Sequence, residues 1–547
     1  MCHSETNALV REALCCRYFH LSTKRALSRT RTESHLPSAA GQHFHLVTMG
    51  RLDSSLLDTT TLLAGSVLSL TVLWWLSTRR PSDLPPGPGP ALPVIGHLHL
   101  LSSDPRAAFR TWRRQYGDVF SLYMGGRLVV VLNGLPVIKE ALVKMADVFS
   151  HRPHMFITDR ITNQKGIVSS SGALWKEQRK TALEILRELG MGKNVLAEKI
   201  QEEITYYIRA IEDHQEAPVD LSTLTHITVS NNICSIIFGK RFDYDDPAFR
   251  GYLRMMEENM KAIGASAIIN YMPMLEYLPG DLFKIKLVVR RATKFYDFVQ
   301  QHISEHRTER SLHTENTDFI HSYLTQGEQL EDSNVENTLD NENLLNSIAD
   351  LFVAGTESTA TAILWTLLFF LHYPKVQDKC FKEISDVIGS GRAPTMQDRP
   401  KLQYLEATIM EVLRRADMVP ISVPHGLADD VTFRGYVIPK DAIVLPNLES
   451  VLLDPEIWGD PDNFRPERFI CPDGKVTRPE EFIPFGIGRR VCLGESLARM
   501  ELFLYLSTLI QRFRFLPPEQ EPLPSLEGIM GFSLSPAPFK VRAIPRQ

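Results

Sequence analysis

The chain has 547 residues, of which 44% are hydrophobic and 23% are charged, which is the composition of a globular protein with material for a large core. Its formal net charge of −5 argues against a nucleic-acid-binding protein, because such proteins carry a basic footprint. The seven cysteines are odd in number and scattered, which favours reduced, cytosolic-side thiols over a disulfide framework. Length alone would suggest about three domains, but no linker after Pro90 separates them.

Residues 1–48 form an N-terminal extension with two competing interpretations. The extension is rich in Ser, Thr, His and Arg, and the chain carries seven Lys/Arg but three Asp/Glu between Met1 and Arg51. One interpretation is an organelle presequence, which would place the protein at the mitochondrial inner membrane. The other is an extension upstream of a working start at Met49. We favour the second because a complete signal anchor follows that methionine.

The signal anchor is predicted over residues 49–83, with a transmembrane helix at about 59–76. No charge occurs between Thr59 and Leu76, and a helix of that length would span about 27 Å, close to the roughly 30 Å bilayer core. Arg79 and Arg80 follow, which predicts a cytosolic location for the downstream body. A buried core helix or a cleaved signal peptide fits less well, because the segment has neither a polar face nor a small-residue cleavage site.

Two segments after the anchor have non-helical patterns. Residues 84–93 read Leu-Pro-Pro-Gly-Pro-Gly-Pro-Ala-Leu-Pro, which excludes a helix or central strand and predicts a stiff, extended hinge. Val119 to Leu132 is rich in strand-forming residues around Gly125 and Gly126, which predicts a β-hairpin.

Three further segments have weaker patterns. Trp175 and Arg179 lie at i and i+4 of a predicted helix with a basic face, which is also what an ordinary amphipathic helix would show. Residues 263–278 are apolar and are followed by Pro-Gly, so they fit either core or a surface lid. Residues 327–342 contain six acidic residues and no Lys or Arg, which predicts a solvated loop.

A long apolar helix is predicted from Leu344 to Leu371. Its centre reads Ala354-Gly355-Thr356-Glu357-Ser358-Thr359. A mid-helix glycine costs about 1 kcal/mol relative to alanine, and we expect close approach of a ligand over Ala354 and Gly355 to be the reason. An acid in an apolar run is costly unless it is paired or functional, so Glu357 and Ser358 are predicted to form a proton-delivering acid–alcohol pair. A kinked helix with an exposed acid is the alternative.

The segment after this helix supplies an acid–base pattern and a histidine. Glu411 and Arg414 lie at i and i+3 of one helix face, a spacing that usually marks a surface pair worth less than about 1 kcal/mol. A further arginine, Arg468, occurs downstream in Phe-Arg-Pro-Glu-Arg-Phe. His425 follows an apolar turn over residues 419–423. A lone histidine usually faces solvent or has its hydrogen bonds satisfied within the protein, without a functional role.

The segment Phe485–Gly494 carries the strongest signal. It reads Phe-Gly-Ile-Gly-Arg-Arg-Val-Cys-Leu-Gly, and its glycines allow tight turns and close approach to a flat ligand. Cys492 precedes a predicted helix and follows two arginines, so we expect its thiolate to be favoured. A lone thiolate without a companion Cys or His does not suit zinc, but it suits one axial position on haem iron. A buried core cysteine is the alternative.

Five positions match the spacing of the haem-thiolate signature of the cytochromes P450: Phe485, Gly488, Arg490, Cys492 and Gly494. From Leu84 to its C-terminus the chain resembles the animal microsomal members, and most closely their second family. This resemblance implies a mainly α (α+β) fold, with a large helical domain and small β-sheets, in addition to the N-terminal transmembrane helix. It implies one catalytic domain over residues 94–547 that binds heme b, iron protoporphyrin IX, with Cys492 as axial ligand.

The resemblance also implies roles for residues outside that segment. The propionates are held by Trp175, Arg179, His425 and Arg490. A buried structural network is formed by Glu411, Arg414 and Arg468. The substrate pocket is lined by Ala354, Val419, Val423, Phe532 and Leu534, which are apolar and imply an apolar substrate. Protons are relayed by Glu357, Ser358 and Thr359, although the family usually has threonine at position 358, and serine there puts coupling rather than the reaction type in doubt.

Together these features imply a monooxygenase of the endoplasmic reticulum membrane that inserts one atom of dioxygen into a fatty acid, steroid or xenobiotic. Electrons would come from NADPH through NADPH–cytochrome P450 reductase, because the chain lacks a Gly-x-Gly-x-x-Gly nucleotide fingerprint, with cytochrome b5 as a second donor. Residues 263–278 would form a lid at the membrane surface. The alternatives are a reductase-independent peroxide isomerase or synthase of the same fold, and a non-catalytic haem-binding protein.

Overall fold

The computed structural model describes residues 54–77, 81–102, 104–191, 194–309, 318–332 and 338–546. The chain divides into two units, residues 1–70 and 71–547. Our interpretations of residues 1–48, of the start at Met49 and of the arginines at 79 and 80 lie outside the described residues.

Helices dominate the described residues. The first nine are α1 (Ser54–Ser77), α2 (Arg106–Tyr116), α3 (Leu135–Lys139), α4 (Ala146–Phe149), α5 (Phe156–Thr162), α6 (Gly172–Glu188), α7 (Asn194–Glu212), α8 (Ser222–Ile237) and α9 (Pro247–Ser266). They are followed by α10 (Ile285–Glu309), α11 (Phe319–Asp332), α12 (Asn341–His372), α13 (Pro374–Val387) and α14 (Gln403–Ala416). The last are α15 (Glu449–Leu452), α16 (Pro455–Trp458) and α17 (Glu495–Arg512). This confirms the mainly helical fold.

The strands form small sheets. They are β1 (Val119–Met124), β2 (Arg127–Leu132), β3 (Val431–Phe433), β4 (Tyr436–Ile438), β5 (Ile443–Pro446), β6 (Phe513–Leu516), β7 (Gly528–Met530), β8 (Leu534–Pro536) and β9 (Arg542–Pro545). Strand β2 lies between an antiparallel β1 and a parallel β5, and the pairs β3–β4, β6–β9 and β7–β8 are separate. Strand β2 reads as a continuous apolar run because it is buried on both faces.

The predicted hairpin is present, with Val119 opposite Leu132 and Met124 opposite Arg127. The proline-rich segment before it contains neither helix nor strand. It is bound to the edge of β1, because Ser121 donates its N–H to the Pro86 carbonyl at 2.7 Å and its hydroxyl to the Pro85 carbonyl at 2.8 Å.

The long helix α12 runs through the main core. The side chain of Asp340 caps it by accepting from the N–H of Asn343 at 2.7 Å. A Cβ added to Gly355 would lie 2.5 Å from Cδ1 of Ile233 on α8. A side chain at position 355 would therefore require Ile233 to shift, and the expected approach of a ligand over Ala354 and Gly355 stays a prediction.

Two predictions about helices have different outcomes. Helix α1 contains the predicted segment 59–76, and the leucines whose side chains the structure describes there are exposed, Leu62 by 69%. Among the described helices, α12 is long and apolar enough to cross a membrane by length and composition alone, but 72% of that window is buried, as in a core helix. The predicted loop over 327–342 is partly wrong, because α11 continues to Asp332.

Candidate active site

The loop Phe485–Gly494 is a tight turn closed by a bond from the N–H of Cys492 to the Phe485 carbonyl at 3.0 Å. Gly488 has φ +81°, and a Cβ there would collide with the Leu142 carbonyl oxygen, so the fold requires glycine. Gly494 differs, because its φ is −90° and an added Cβ would meet no described atom. Only a ligand lying against this loop would therefore require glycine at position 494.

Cys492 lies near the end of this loop, just before α17, and the residue is exposed. Desolvation of the thiol by the surrounding protein raises its pKa, although the backbone N–H of Gly494 and the Arg179 guanidinium lower it. This corrects our expectation that the surroundings favour the thiolate. The arginines that precede Cys492 are engaged elsewhere, since Arg489 pairs with Asp147 and Arg490 donates to carbonyl oxygens. A metal that binds here would therefore displace the thiol proton.

Arg152, Arg179 and Arg490 lie near one another beside this loop. Each of them donates hydrogen bonds to backbone carbonyls. Arg490 donates to Ser150 at 2.8 Å and Ser170 at 2.6 Å, and Arg179 donates to Val491 at 2.6 Å. Arg152 donates to the carbonyls of Val168, Val423 and Pro424 at 2.8–3.0 Å. Carbonyl oxygens satisfy the donors without neutralising the charges.

Burial and the closeness of the other arginines lower the pKa values of Arg490 and Arg152. Burial, together with repulsion from Arg152 and Arg179, lowers the pKa of Arg490 to about 8. Burial and the charge of Arg179 lower the pKa of Arg152 to about 10, and only the charge of Asp350 opposes this effect. Like charges held together in a buried site favour binding of an anionic group.

Trp175 adds a neutral donor to the three arginines. Its indole Nε1–H is buried and has no hydrogen-bond partner within the described residues. An orphaned buried donor is costly and calls for an acceptor that the protein itself does not supply. Three half-buried cations and one unpaired N–H beside the exposed Cys492 fit an iron porphyrin with two carboxylates, so these residues fit the haem that the motif predicts.

His425 is buried, and its role needs qualification. Its Nδ1 lies 2.6 Å from the Phe149 carbonyl, which can only accept, so Nδ1 carries the proton. Burial and the charge of Arg152 lower its pKa to about 3, so the ring is neutral and Nε2 has no proton to donate. A carboxylate placed beside Nε2 would raise that pKa, and the predicted propionate contact of His425 depends on this effect.

Arg152 is the member of this cation group that sequence reasoning did not single out. It lies in His-Arg-Pro, where no spacing pattern distinguishes it from other arginines. Its position among the other cations depends on the chain path from α4 to α5, which brings it against the backbone of residues 423 and 424. We find no signal in the sequence alone that could have identified it.

The structure brings Glu411, Arg414 and Arg468 together. Arg414 donates twice to the Glu411 carboxylate, at 2.8 and 2.9 Å, and Arg468 donates to it at 3.0 Å. The side chains of Glu411 and Arg414 are completely buried. The Arg465 N–H also donates to this carboxylate at 2.9 Å, so Glu411 on α14 holds the segment Pro466–Phe469, which precedes the Cys492 loop.

The three predicted relay residues on α12 have different partners. The Ser358 hydroxyl donates to the Ala354 carbonyl at 2.7 Å, on an accessible part of the helix. Glu357 is buried, and its carboxylate accepts from the Ser533 hydroxyl at 3.2 Å. Thr359 donates to the buried Glu501 of α17 at 3.2 Å. The described contacts therefore hold Glu357 away from Ser358 in this conformation.

The predicted pocket residues differ in exposure. Ala354 and Phe532 are exposed, whereas Val419 and Val423 are half-buried. Leu534 is buried in the main core. Its N–H donates to the carbonyl of Met418 at 2.8 Å, which holds the turn between β7 and β8 beside the segment that carries Val419.

Comparisons with known proteins agree with this geometry. Residues 85–543 match the family model for cytochrome P450. The chain is 39% identical to human cytochrome P450 2U1 over 496 residues, covering 85% of this chain and 90% of the relative. It is 40% identical to cytochrome P450 2J1 of Oryctolagus cuniculus (89% and 96% covered) and 38% identical to human cytochrome P450 2J2 (92% and 100% covered). The chain therefore belongs to the cytochrome P450 family, the haem monooxygenases with an axial cysteine thiolate.

Proposed function

We propose that this enzyme inserts one oxygen atom into an apolar organic substrate, with electrons that arrive from NADPH through a flavoprotein reductase. The bound haem, held by Cys492, supplies the oxygen-activating chemistry. The residues of the chain bind its carboxylates, shape the apolar pocket and deliver protons. In this proposal, Trp175 and the arginines at 152, 179 and 490 hold the propionates, with His425 as a further contact.

The observation that carries the electron-transfer part of the proposal is a basic depression on α6. A cavity of about 560 Å³ is lined by Trp175, Leu183 and seven charged side chains, five basic and two acidic: Asp147, Lys176, Arg179, Lys180, Glu184, Arg187 and Arg489. Arg179 also donates to the carbonyl of Val491, next to Cys492. An acidic donor protein would be attracted to this face by charge complementarity. We propose the reductase as its occupant, with cytochrome b5 as a second donor.

We infer the substrate class from the side chains that are predicted to line the pocket. Ala354, Val419, Val423 and Phe532 present apolar surface, and an apolar lining favours an apolar ligand. A fatty acid, a steroid or a xenobiotic shares this chemistry. A library screen for substrate-induced changes in the haem spectrum would choose among them.

We also propose attachment to the endoplasmic reticulum membrane. Two apolar surfaces support it: the exposed helix α1, and the turn after α9, where Met274 is 60% and Tyr277 87% exposed. Deletion of residues 1–80 should leave a folded haem protein that is extracted more easily but retains some peripheral attachment. A full-length protein that carbonate washes off membranes would contradict the spanning helix. A tag at residue 1 retained on mitochondrial protein would favour the presequence.

Reconstitution with excess reductase tests the reaction. Substrate-dependent NADPH consumption with formation of oxygenated product is expected, and Cys492→Ala should abolish both the thiolate spectrum of the reduced carbon monoxide complex and turnover. Turnover of a peroxide without NADPH would favour the isomerase or synthase. Haem binding without any turnover would favour a non-catalytic haem protein. A Cys492→Ala protein that retained the red-shifted band would contradict haem-thiolate ligation.

A further inference from the structure

Glu357 has a half-buried histidine partner, His226, that the proposed reaction does not use. Oε2 of Glu357 on α12 lies 3.4 Å from Nε2 of His226 on α8, and the two side chains are 9% and 13% exposed. Neither atom has a well-formed hydrogen bond to any other described residue. A carboxylate and an imidazole that face each other in this way titrate as a pair, so a proton bound by one group affects the proton affinity of the other.

The other ring nitrogen decides how many protons the pair holds. His226 Nδ1 lies 2.8 Å from the Ser222 carbonyl, which can only accept, so Nδ1 carries a hydrogen. A neutral ring then presents a lone pair at Nε2 to the carboxylate of Glu357. Two facing acceptors repel unless a proton lies between them, so the pair retains one proton, on either Nε2 or Oε2.

The neighbouring charged and polar groups change the pKa values of His226 and Glu357 less than the two residues change each other's. Burial alone would lower the pKa of His226, but Glu357 raises it above its ordinary value, with Glu257 of α9 adding a smaller effect. Burial would raise the pKa of Glu357, but His226 lowers it, assisted by Ser533 and by Lys261 of α9. Lys261 and Glu257 pair with each other at 2.5 Å, so their charges largely offset each other at the site.

We propose that His226 is a positioning residue that keeps one proton on the His226–Glu357 pair and restores it after Glu357 has passed it to the Ser358 hydroxyl. This inference rests on the proposed function and names the source of its protons. Ser533, which donates to Glu357 at 3.2 Å, holds the other carboxylate oxygen during the exchange.

The proton balance closes without any change of oxidation state. Glu357 turns from His226 and gives its Oε2 proton to Ser358 Oγ, while Ser358 releases its own hydroxyl proton toward the accessible face of α12. The pair is then without its proton, and solvent returns one to Nε2 of His226 or to Oε2 of Glu357 while the two side chains are apart. One proton enters the pair for each proton that leaves Ser358.

The test compares His226→Asn and His226→Gln with His302→Gln as a matched control, since His302 pairs with Glu305 on α10 at 2.8 Å. The holoenzyme with excess reductase should show parent coupling, measured as product per NADPH, that falls as pH rises above the ordinary histidine pKa of 6.5. Both His226 variants should lose this pH dependence and form product about tenfold more slowly. The control should keep the parent profile.

A second measurement does not depend on turnover. Because the folded pKa of His226 is raised, its stabilisation is complete below the unfolded pKa and is lost as pH rises through the folded pKa. Because the folded pKa of Glu357 is lowered, its stabilisation is lost as pH falls through that value. The parent should therefore exceed His226→Asn in Tm by about 2 °C near pH 6, and by less near pH 9.

The outcomes separate the two hypotheses. An unchanged pH profile of coupling in both variants, or a Tm difference that does not vary with pH, would overturn the role of His226. A parent that consumes no NADPH with reductase would overturn the proposed function. The pH dependence of Tm would still test whether His226 and Glu357 interact. If His226→Asn does not fold, His226→Gln and Glu357→Gln supply both measurements, and loss of the pH dependence is expected in each.

Discussion

The guanidinium carbon of Arg490 lies 4.0 Å from the centre of the Trp175 ring. A cation over an indole face is attracted to the ring by about 2 kcal/mol or more when desolvated. The arginine therefore fixes the plane of the indole, and it leaves the Nε1–H at the ring edge available to an acceptor. One residue orients the other, and both belong to the group of donors that fits the haem carboxylates.

Trp175→Phe should separate these two functions. Phenylalanine keeps a ring for Arg490 to stack on but removes the Nε1–H, so the fold should persist while haem binds less tightly. A lost hydrogen bond to a charged group is worth roughly 1.5–3 kcal/mol, which corresponds to haem loss about ten to a hundred times faster. Transfer of haem to an excess of a haem-scavenging protein measures this rate. Trp112→Phe, in the separate core beside β1, should lose haem at the parent rate, and equal rates for the two variants would contradict the assignment.

The two glycines of the Cys492 loop should respond differently to alanine. Gly488→Ala introduces a Cβ against the Leu142 carbonyl at a positive φ, so we expect a loss of several kcal/mol of stability. Gly494→Ala has neither problem, so the stability of the apoprotein should change by less than about 1 kcal/mol. Urea unfolding of the two apoproteins measures both effects. Weaker haem binding by a stable Gly494→Ala protein would show that a ligand requires the glycine, whereas unchanged binding would contradict that.

Glu411→Gln should be severe because it leaves Arg414 and Arg468 buried without their carboxylate. Breaking a buried ion pair by removal of one partner costs about 3–5 kcal/mol. We expect a lower urea midpoint and loss of the thiolate spectrum, because the segment that precedes the Cys492 loop is held by this carboxylate. Asp386→Asn, which breaks an exposed pair with Lys382, is the control and should cost less than about 1 kcal/mol. Similar costs for the two variants would contradict a structural role for the network.

Local patterns in the sequence predicted the features that depend on neighbouring residues. The spacing around Cys492, the hairpin at 119–132 and the long helix α12 are all carried by short-range periodicity. Long-range packing decides the features that were missed. Arg152 joins the cation group through the path of the backbone, and Ile233 of α8 lies against Gly355. The partner of Glu357, on a helix that is distant in the sequence, also could not be read from spacing.

Charge effects were predicted less well than positions. Two arginines next to Cys492 suggested a stabilised thiolate, but Arg489 pairs with Asp147 and Arg490 faces carbonyls and Trp175. The sequence gives the number of charged residues next to Cys492, but it does not give the orientation of their side chains. Burial, which depends on the whole fold, then determines the direction of the pKa shift at Cys492.

Ser358 bonds back to the carbonyl four residues earlier, Ala354, at 2.7 Å. Such a bond holds the hydroxyl against its own helix and competes with delivery of its proton elsewhere. Serine lacks the methyl group that restricts threonine rotamers, so the hydroxyl spends part of its time turned away from the reaction site. We therefore expect the parent enzyme to release measurable hydrogen peroxide, because protons that arrive late let reduced oxygen escape.

Changing Ser358 should alter this leakage in both directions. Ser358→Thr should reduce the peroxide released, provided that the added methyl fits, and Ser358→Ala should raise it while haem content stays constant. A general-acid contribution of about 10²-fold is reasonable for the whole relay, and Thr359 or water would mask part of it. Product formed per NADPH consumed, with reductase in excess, is the measurement. Thr366 makes the same kind of bond, to the Ala362 carbonyl at 2.8 Å, but is fully buried, so Thr366→Ser should leave coupling at the parent value. Equal coupling in the parent, Ser358→Thr and Ser358→Ala would mean that the proton path does not pass through this hydroxyl.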